Sequence, residues 1–363
     1  MAETLLDILR MVEVRREGMP SASEPEPATV ENAVVACVLG RIIGMANPCL
    51  RCGLVGEETL VAHYRWNVLR PDTRVYGVIG CPVAHSMSPA IHNAAFAETN
   101  YNGVYLPLRV EPDYASFKAF VDFCIDRPWL NLRGCSVTIP HKENLLRYVE
   151  ERGGFIEPLA RRIGVANTLV IEPGRAADGS DARTSAFNTD YRGALDALCT
   201  GMGIAPAALK DVSVAVLGAG GVSRAIVAGL RDYDARVTIF NRTQEKAEAL
   251  AAEFGATALP NEQRTQNKAD AVINCTSIGM WPEVDDTPLP TSGLLHRPAV
   301  FDTVYNPVET RLLREAREAG CTTIDGVSMF VNQAVGQFEC WTERKAPFEI
   351  MRNIVLEQLS KPR

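Results

Sequence analysis

The sequence predicts an α/β protein of two domains, and three observations carry that expectation. From Arg74 onward, short apolar runs with strand character alternate with runs of helical spacing, the pattern of a mostly parallel sheet. The chain has 363 residues, room for two domains at roughly 150 residues each. Hydrophobic residues make up 47% and charged residues 22%, so real cores can form and disorder throughout is excluded.

The elements read as follows. A short helix is expected over Glu3–Arg16. Met19 to Thr29, MPSASEPEPAT, reads as a flexible linker. Val30 to Leu69 mixes apolar runs with Gly and Pro and is less legible. Arg74 to Gly80 is an apolar strand ending in glycine, followed by a Pro- and Ser-rich turn and a helix from about Pro89. Val104 to Arg109 alternates as a strand, Tyr114 to Cys124 has helical spacing, and Gly134 to Thr138 is a strand. Pro140 is expected to open the next helix, since Pro is tolerated at a first helical position. Ala166 to Ile171 is again β-rich.

A second α/β unit starts near Val212. Strands are expected at Val212–Leu217, Arg236–Phe240, Ala271–Cys275, Ala299–Asp302 and Thr322–Asp325. Helices are expected at Gly221–Asp232, Gln244–Phe254 and Glu309–Ala319, with a last long helix from near Phe330.

Charge and composition narrow the function. The net charge is −7, with 37 basic and 44 acidic residues and no long basic run, so a nucleic-acid partner is not expected. The longest uncharged stretches, such as Ala271 to Pro282, fall short of the roughly 18 apolar residues of a membrane-spanning helix. Glu3 and Asp7 stand where a signal peptide would be positive, and no small-residue cleavage site follows, so a cytoplasmic location is expected. The ten Cys are scattered through apolar segments and are expected to be buried free thiols.

The first chemical motif is Gly218-Ala219-Gly220-Gly221, reached directly from an apolar strand and followed by a helix. Gly218 allows the tight turn, and Gly220 lets the backbone approach a pyrophosphate whose charge meets the helix N-terminus. Such a turn also occurs without a ligand, but strand, turn, helix and second strand all follow in order, which predicts a Rossmann-type nucleotide site. The second strand ends Phe240-Asn241-Arg242-Thr243. The carboxylate that would bind a ribose 2′-hydroxyl is absent, and Arg242 offers a planar fork for a 2′-phosphate. NADP is therefore expected rather than NAD.

Four further polar clusters stand out. Ser86 and Ser88 lie two residues apart before a helix, where both can bond one carboxylate or simply cap the helix. Ser136 to Lys142, SVTIPHK, sets a Lys one turn into the helix expected from Pro140. Asn188-Thr189-Asp190 is a polar triplet, and Asn332-Gln333 are polar residues on an apolar helix start.

Together these residues closely resemble one family, shikimate dehydrogenase. The resemblance spans Arg74 to about Pro347 and rests on GCPVAHSMSP, GCSVTIPHK, GVANTL, FNTDY, GAGGVSRA with NRT, NCTSIGM, DTVYNP and DGVSMFVNQA, all in the family's order. It implies a substrate-binding α/β domain of residues 74–192 plus 330–363, a Rossmann-type doubly wound NADP domain of residues 193–329, and an active site in the cleft. It implies that Ser86 and Ser88 bind the substrate carboxylate, and that Thr138, Asn167 and Gln333 bind its hydroxyls or flank its ring. Tyr305 matches the substrate-side tyrosine, and Lys142 and Asp190 the catalytic pair, Asp190 also touching substrate. Gly218, Ala219, Gly220, Gly221, Asn241, Arg242, Thr243, Thr276 and Met280 match the cofactor site, and no metal is implied. Ser136 stands where many bacterial members have Asn, as in plant and fungal multifunctional relatives.

The chemistry implied is the reversible reduction of 3-dehydroshikimate to shikimate with NADPH. Reducing a ketone needs a hydride at carbon and a proton at oxygen. An ammonium polarises the carbonyl and hands over the proton, and a neighbouring carboxylate orients it, so the two act as a coupled unit. The partner implied is a small-molecule substrate, bound by a monomer or homodimer with no nucleic acid and no membrane. A quinate dehydrogenase would show NAD preference, and a non-catalytic sensor would lack the Lys142 and Asp190 pair.

Residues 1–73 form an extension of uncertain structure. Cys49 and Cys52 make a lone C-x-x-C with no second pair, a weak metal signal. Glu57 to Arg74 resembles the junction of fused enzymes in which a type I 3-dehydroquinate dehydratase precedes shikimate dehydrogenase. That dehydratase is a barrel, needing roughly 200 residues, and uses a Schiff-base lysine, but the first Lys here is Lys118. A degenerate remnant and an unrelated extension both stay open.

Overall fold

The computed structural model describes residues 4–17, 27, 29–44, 54–174 and 181–360. Most of the expected linker and the pair Cys49 and Cys52 lie outside them. The chain divides into two compact units, Met1–Asn188 with Gln337–Ile354, and Thr189–Gly336 with Val355–Arg363.

The first unit begins with three helices, α1 (Leu5–Arg16), α2 (Val30–Ile42) and α3 (Glu57–Tyr64). Thr4 and Asp7 start α1 reciprocally: the Asp7 N–H donates to Thr4 Oγ1 and the Thr4 N–H to Asp7 Oδ2, each at 3.2 Å. Leu5, Ile8, Leu9 and Val12 form its buried stripe. Thr29 caps α2 by accepting from the Asn32 N–H at 3.2 Å. Residues 32–40 of α2 are all buried, the pattern of a helix enclosed on every side. The N-terminal segment is thus part of this unit's core.

The α/β portion follows as β1 (Arg74–Gly80), α4 (Ser88–Glu98), β2 (Gly103–Arg109), α5 (Tyr114–Ile125), β3 (Leu132–Val137), α6 (Lys142–Glu151), β4 (Phe155–Ile156), α7 (Pro158–Ile163), β5 (Thr168–Glu172) and β6 (Arg183–Phe187). The sheet order is β2-β1-β3-β5-β6-β4. The strands run parallel except β5, which is antiparallel to both β3 and β6. β5 was expected and leads through a hairpin into β6, which was not. The consequence is functional: the first residues of β5 lie beside the last residues of β3, with Thr168 opposite Ser136.

The helix expected from Pro140 begins at Lys142. The Ile139–Pro140 bond is cis, the Cys81 N–H donates to Ile139 O at 3.2 Å, and the His141 N–H donates to Thr138 O at 2.9 Å. The two hydrogen bonds hold residues 138–141 as a turn. Lys142 is therefore the first residue of α6 and not one turn inside it.

The second unit contains α8 (Thr189–Met202), β7 (Ser213–Leu217), α9 (Gly221–Asp232), β8 (Arg236–Phe240), α10 (Gln244–Phe254), β9 (Thr257–Ala258), β10 (Ala271–Asn274), β11 (Ala299–Asp302), α11 (Arg311–Glu318) and β12 (Thr322–Ile324). Its sheet is parallel throughout, in the order β12-β11-β10-β7-β8-β9. Read from β9, that is the doubly wound 3-2-1-4-5-6 arrangement, with its switch point between β7 and β10.

The final helix is two helices, α12 (Gly326–Thr342) and α13 (Phe348–Ser360). α12 starts four residues before Phe330 because Asp325 Oδ1 accepts from the Ser328 N–H at 2.8 Å, a cap the periodicity does not show. It ends at Glu343, whose φ of 55° is left-handed. Among the described residues no helix is long and apolar enough to cross a membrane.

Candidate active site

In the first unit Ser86, Ser88, Thr138 and Asn167 lie at one end of the sheet, where β1 and β3 finish and β5 begins. Ser86 lies in the turn after β1 and Ser88 opens α4. The Ser88 N–H donates to Ser86 Oγ at 3.3 Å, so the first hydroxyl does part of a capping acceptor's work. Thr138 follows β3, and its N–H donates to Ile79 O at 2.9 Å. A Cβ at Gly80 would lie 2.5 Å from the Thr138 methyl, so only glycine lets the two strand ends approach this closely.

His141 fastens the turn that presents Lys142. Its ring is fully buried; Val110 O, 3.1 Å from Nε2, can only accept, so Nε2 carries the proton. Nδ1 then accepts from the Asn144 amide at 2.9 Å. The ring also packs against Phe117, with centroids 5.2 Å apart.

Asn167 stands just before β5 and is buried; its Oδ1 accepts from Thr168 Oγ1 at 2.8 Å. Beside it runs a network that sequence reasoning missed. The Tyr105 hydroxyl donates to Ser136 Oγ at 2.6 Å, Ser136 donates to Gln337 Oε1 at 2.7 Å, and Gln337 Nε2 donates to Asn167 O at 3.2 Å. Burial drives the Tyr105 phenol far above its ordinary range, so it stays a neutral donor.

In the second unit the switch point holds a cavity of about 450 Å³. Gly218, Ala219, Gly220, Asn241, Arg242, Thr243 and Thr276 line it. Gly218 has φ 112°, and a Cβ there would lie 3.1 Å from the Thr276 methyl. Gly220 and Gly221 face open space at the start of α9, where backbone N–H groups favour an anion. Gly221 is the first residue of α9 and, like Met280, is not among the cavity's lining residues. Met280 lies exposed in the loop after β10.

Lys246, Asn261 and Arg264 also line the cavity and were not foreseen. Lys246 lies four residues after Arg242, so a second cation in the NRT neighbourhood was the available signal. Arg264 donates to Pro288 O and Asn261 O, both at 2.9 Å, joining two walls. The cradle of glycines, the helix N-terminus and the cations Arg242 and Lys246 fit a dinucleotide with a 2′-phosphate.

Asp190 is the second residue of α8, where a carboxylate suits the positive helix end. Gln333 lies on α12, and a Cβ at Gly193 would come within 2.8 Å of its backbone N, so α8 and α12 meet at backbone distance. Tyr305 is partly exposed and stacks on Phe330, with centroids 4.9 Å apart at 21°.

Known proteins resemble this chain over most of its length. Residues 78–169 match the model of the shikimate dehydrogenase substrate binding domain, residues 203–280 that of shikimate / quinate 5-dehydrogenase, and residues 326–356 that of the shikimate 5′-dehydrogenase C-terminal domain. A shikimate dehydrogenase (NADP(+)) of Methanocella arvoryzae is 43% identical over 78% of this chain and 99% of its own length. A bifunctional 3-dehydroquinate dehydratase/shikimate dehydrogenase of Arabidopsis thaliana is 38% identical over 82% of this chain, which spans only 49% of that longer protein. Among solved structures, the shikimate 5-dehydrogenase of Thermus thermophilus, in complex with NADP(H) and shikimate, superimposes with a TM-score of 0.66 at 32% identity, over 78% of this chain and 99% of that one. The chain belongs to the shikimate dehydrogenase family.

Proposed function

We propose that this protein interconverts 3-dehydroshikimate and shikimate, with NADPH as reductant in one direction and NADP⁺ as oxidant in the other. The observation that supports the reading is that Ser86, Ser88, Thr138, Lys142 and Asn167 all lie at the end of the sheet where β1 and β3 finish. NADPH, when bound, supplies the hydride. Ser86 and Ser88 hold the substrate carboxylate, and Thr138, Asn167, Gln333 and Tyr305 its hydroxyls and ring. The Lys142 ammonium donates a proton to the ketone oxygen as the alcohol forms, with Asp190 as its carboxylate partner. In the reverse direction Lys142 accepts that proton.

Residues 74–192 with 330–363 serve the substrate, and residues 193–329 serve the cofactor. Arg242 and Lys246 favour the 2′-phosphate of NADP, and no carboxylate stands at the end of β8 to favour NAD. The protein works in the cytoplasm on a small molecule, as a monomer or homodimer.

Lys142→Ala tests the assignment. Turnover should fall by about 10²-fold or more, the size of a lost general acid, while NADPH titration gives the wild-type affinity. Turnover within a few-fold of wild type would remove Lys142 from the chemistry.

A further inference from the structure

Asp302 ends β11 and is fully buried. Its carboxylate accepts three hydrogen bonds from neutral donors. Oδ1 accepts from Asn274 Nδ2 at 2.9 Å and the Val304 N–H at 3.0 Å, and Oδ2 from the Thr310 hydroxyl at 2.6 Å. Asn274, also fully buried, ends β10. Its Oδ1 accepts from the Thr276 N–H at 3.0 Å and from Thr276 Oγ1 at 2.7 Å, and its Nδ2 also donates to Ile278 O at 3.3 Å. Thr276 Oγ1 in turn accepts from the Ile278 N–H at 3.1 Å. Cys275, Thr276, Ser277 and Ile278 form one wall of the cofactor cavity.

An amide is nearly symmetric in shape, so packing alone does not decide which way Asn274 points. A carboxylate does. It accepts only, which forces the NH₂ side of Asn274 toward Asp302 and leaves the carbonyl oxygen for Thr276. With the amide reversed, an oxygen would face the carboxylate and an N–H would face the Thr276 N–H. We propose that Asp302 is a positioning residue for nucleotide binding: acting through Asn274, its carboxylate fixes the wall formed by residues 275–278. The inference rests on the NADP reading of the cavity.

Ionisation is part of the device. Burial pushes the Asp302 carboxyl up to about 6, against the opposing bonds from Thr310, Val304 and Asn274. It is charged at neutral pH and takes up a proton as pH falls through about 6; the neutral acid is a weaker acceptor than the carboxylate, so the bond that holds Asn274 weakens. The Cys275 thiol, also facing Asp302, is pushed up to about 12 by burial and stays neutral across this range. Arg311, next to Thr310 on α11, is turned to Glu315 at 2.6 Å and to Asp285 O at 2.7 Å.

The test is the binding of NADPH and NADH to the full chain between pH 5 and 8, read by nucleotide fluorescence. NADH is essential because the 2′-phosphate of NADPH itself titrates near 6. At pH 7.5, Asp302→Asn should weaken both nucleotides about tenfold. Wild-type affinity for NADH should fall as pH drops through about 6, and the Asp302→Asn profile should be flat. Thr310→Val removes one donor to the carboxylate and should move the acid limb to higher pH, and Thr310→Ser should leave it in place. Wild-type affinity in Asp302→Asn, or an acid limb that persists in it, overturns the proposal alone. If Asp302→Asn does not fold, an unmoved limb in Thr310→Val does the same. A wild-type protein that binds neither nucleotide overturns both this proposal and the NADP reading.

Discussion

His92 shows what one buried side chain contributes. It lies on α4, stacked on the Tyr105 ring with centroids 4.5 Å apart at 15°, and 5.2 Å from the Trp341 ring. Burial pushes its imidazole down to about 3 from the ordinary 6.5, so the ring stays neutral in the fold. As pH falls below 6.5, the unfolded chain binds this proton and the folded one does not. The stabilising contribution is whole above 6.5 and is lost toward pH 3, at about 1.4 kcal/mol per pH unit. His92→Phe keeps a ring and removes the titration. Between pH 7 and 4.5 the variant should lose about 2 to 3 kcal/mol less stability than wild type in urea melts, and equal losses would remove this role from His92. At this scale the motif residues were legible because they lie within a few positions of one another, as Ser86 with Ser88 and Arg242 with Thr243. Gln337 was not, because its partner Ser136 is 201 residues away and polar contacts across that separation leave no local pattern.

At the scale of elements, α1 and α2 change the meaning of the N-terminal segment. Arg127 Nε lies 2.5 Å from Glu13, Arg16 stands over the Trp129 ring at 5.0 Å, and Arg65 donates to Tyr101 O and Gly103 O, both at 2.7 Å. These contacts tie the segment to the turn between α5 and β3 and to the start of β2. Val35 on α2 is completely buried. Val35→Asp should therefore cost about 3 kcal/mol or more through an unpaired buried charge. An unchanged urea midpoint would show that α2 is not part of the core. The helix Leu5–Arg16 was legible because its apolar residues keep one face. α2 was not, since a helix apolar all round has no amphipathic period to read. The hairpin of β5 and β6 was half seen, because Arg183–Phe187 is too short and mixed to declare itself as a strand. The start of α6 was misplaced because a Pro that often opens helices here closes a turn.

At the scale of the whole molecule, the second unit was the more legible. Its strands and helices each announce one layer of a doubly wound sheet, and its glycine motif falls at the switch point where that topology demands it. The first unit hid its mixed sheet and its N-terminal core, both made by contacts between distant segments. The scarcity of lysine retains its weight: residues 1–73 contain none, so a lysine Schiff base cannot form in that stretch, and the chain spans about half of the bifunctional plant relative. An NADP-dependent dehydrogenase acting on shikimate must discriminate both substrate and cofactor. The most direct measurement is the initial rate of nucleotide reduction for shikimate and for quinate, each with NADP⁺ and with NAD⁺. Shikimate with NADP⁺ should give the highest kcat/KM, by at least about tenfold over every other pair, a margin that one favourable charged contact to a 2′-phosphate or one well-placed hydroxyl contact supplies. A preference for quinate or for NAD⁺, or no turnover with any pair, would contradict that assignment.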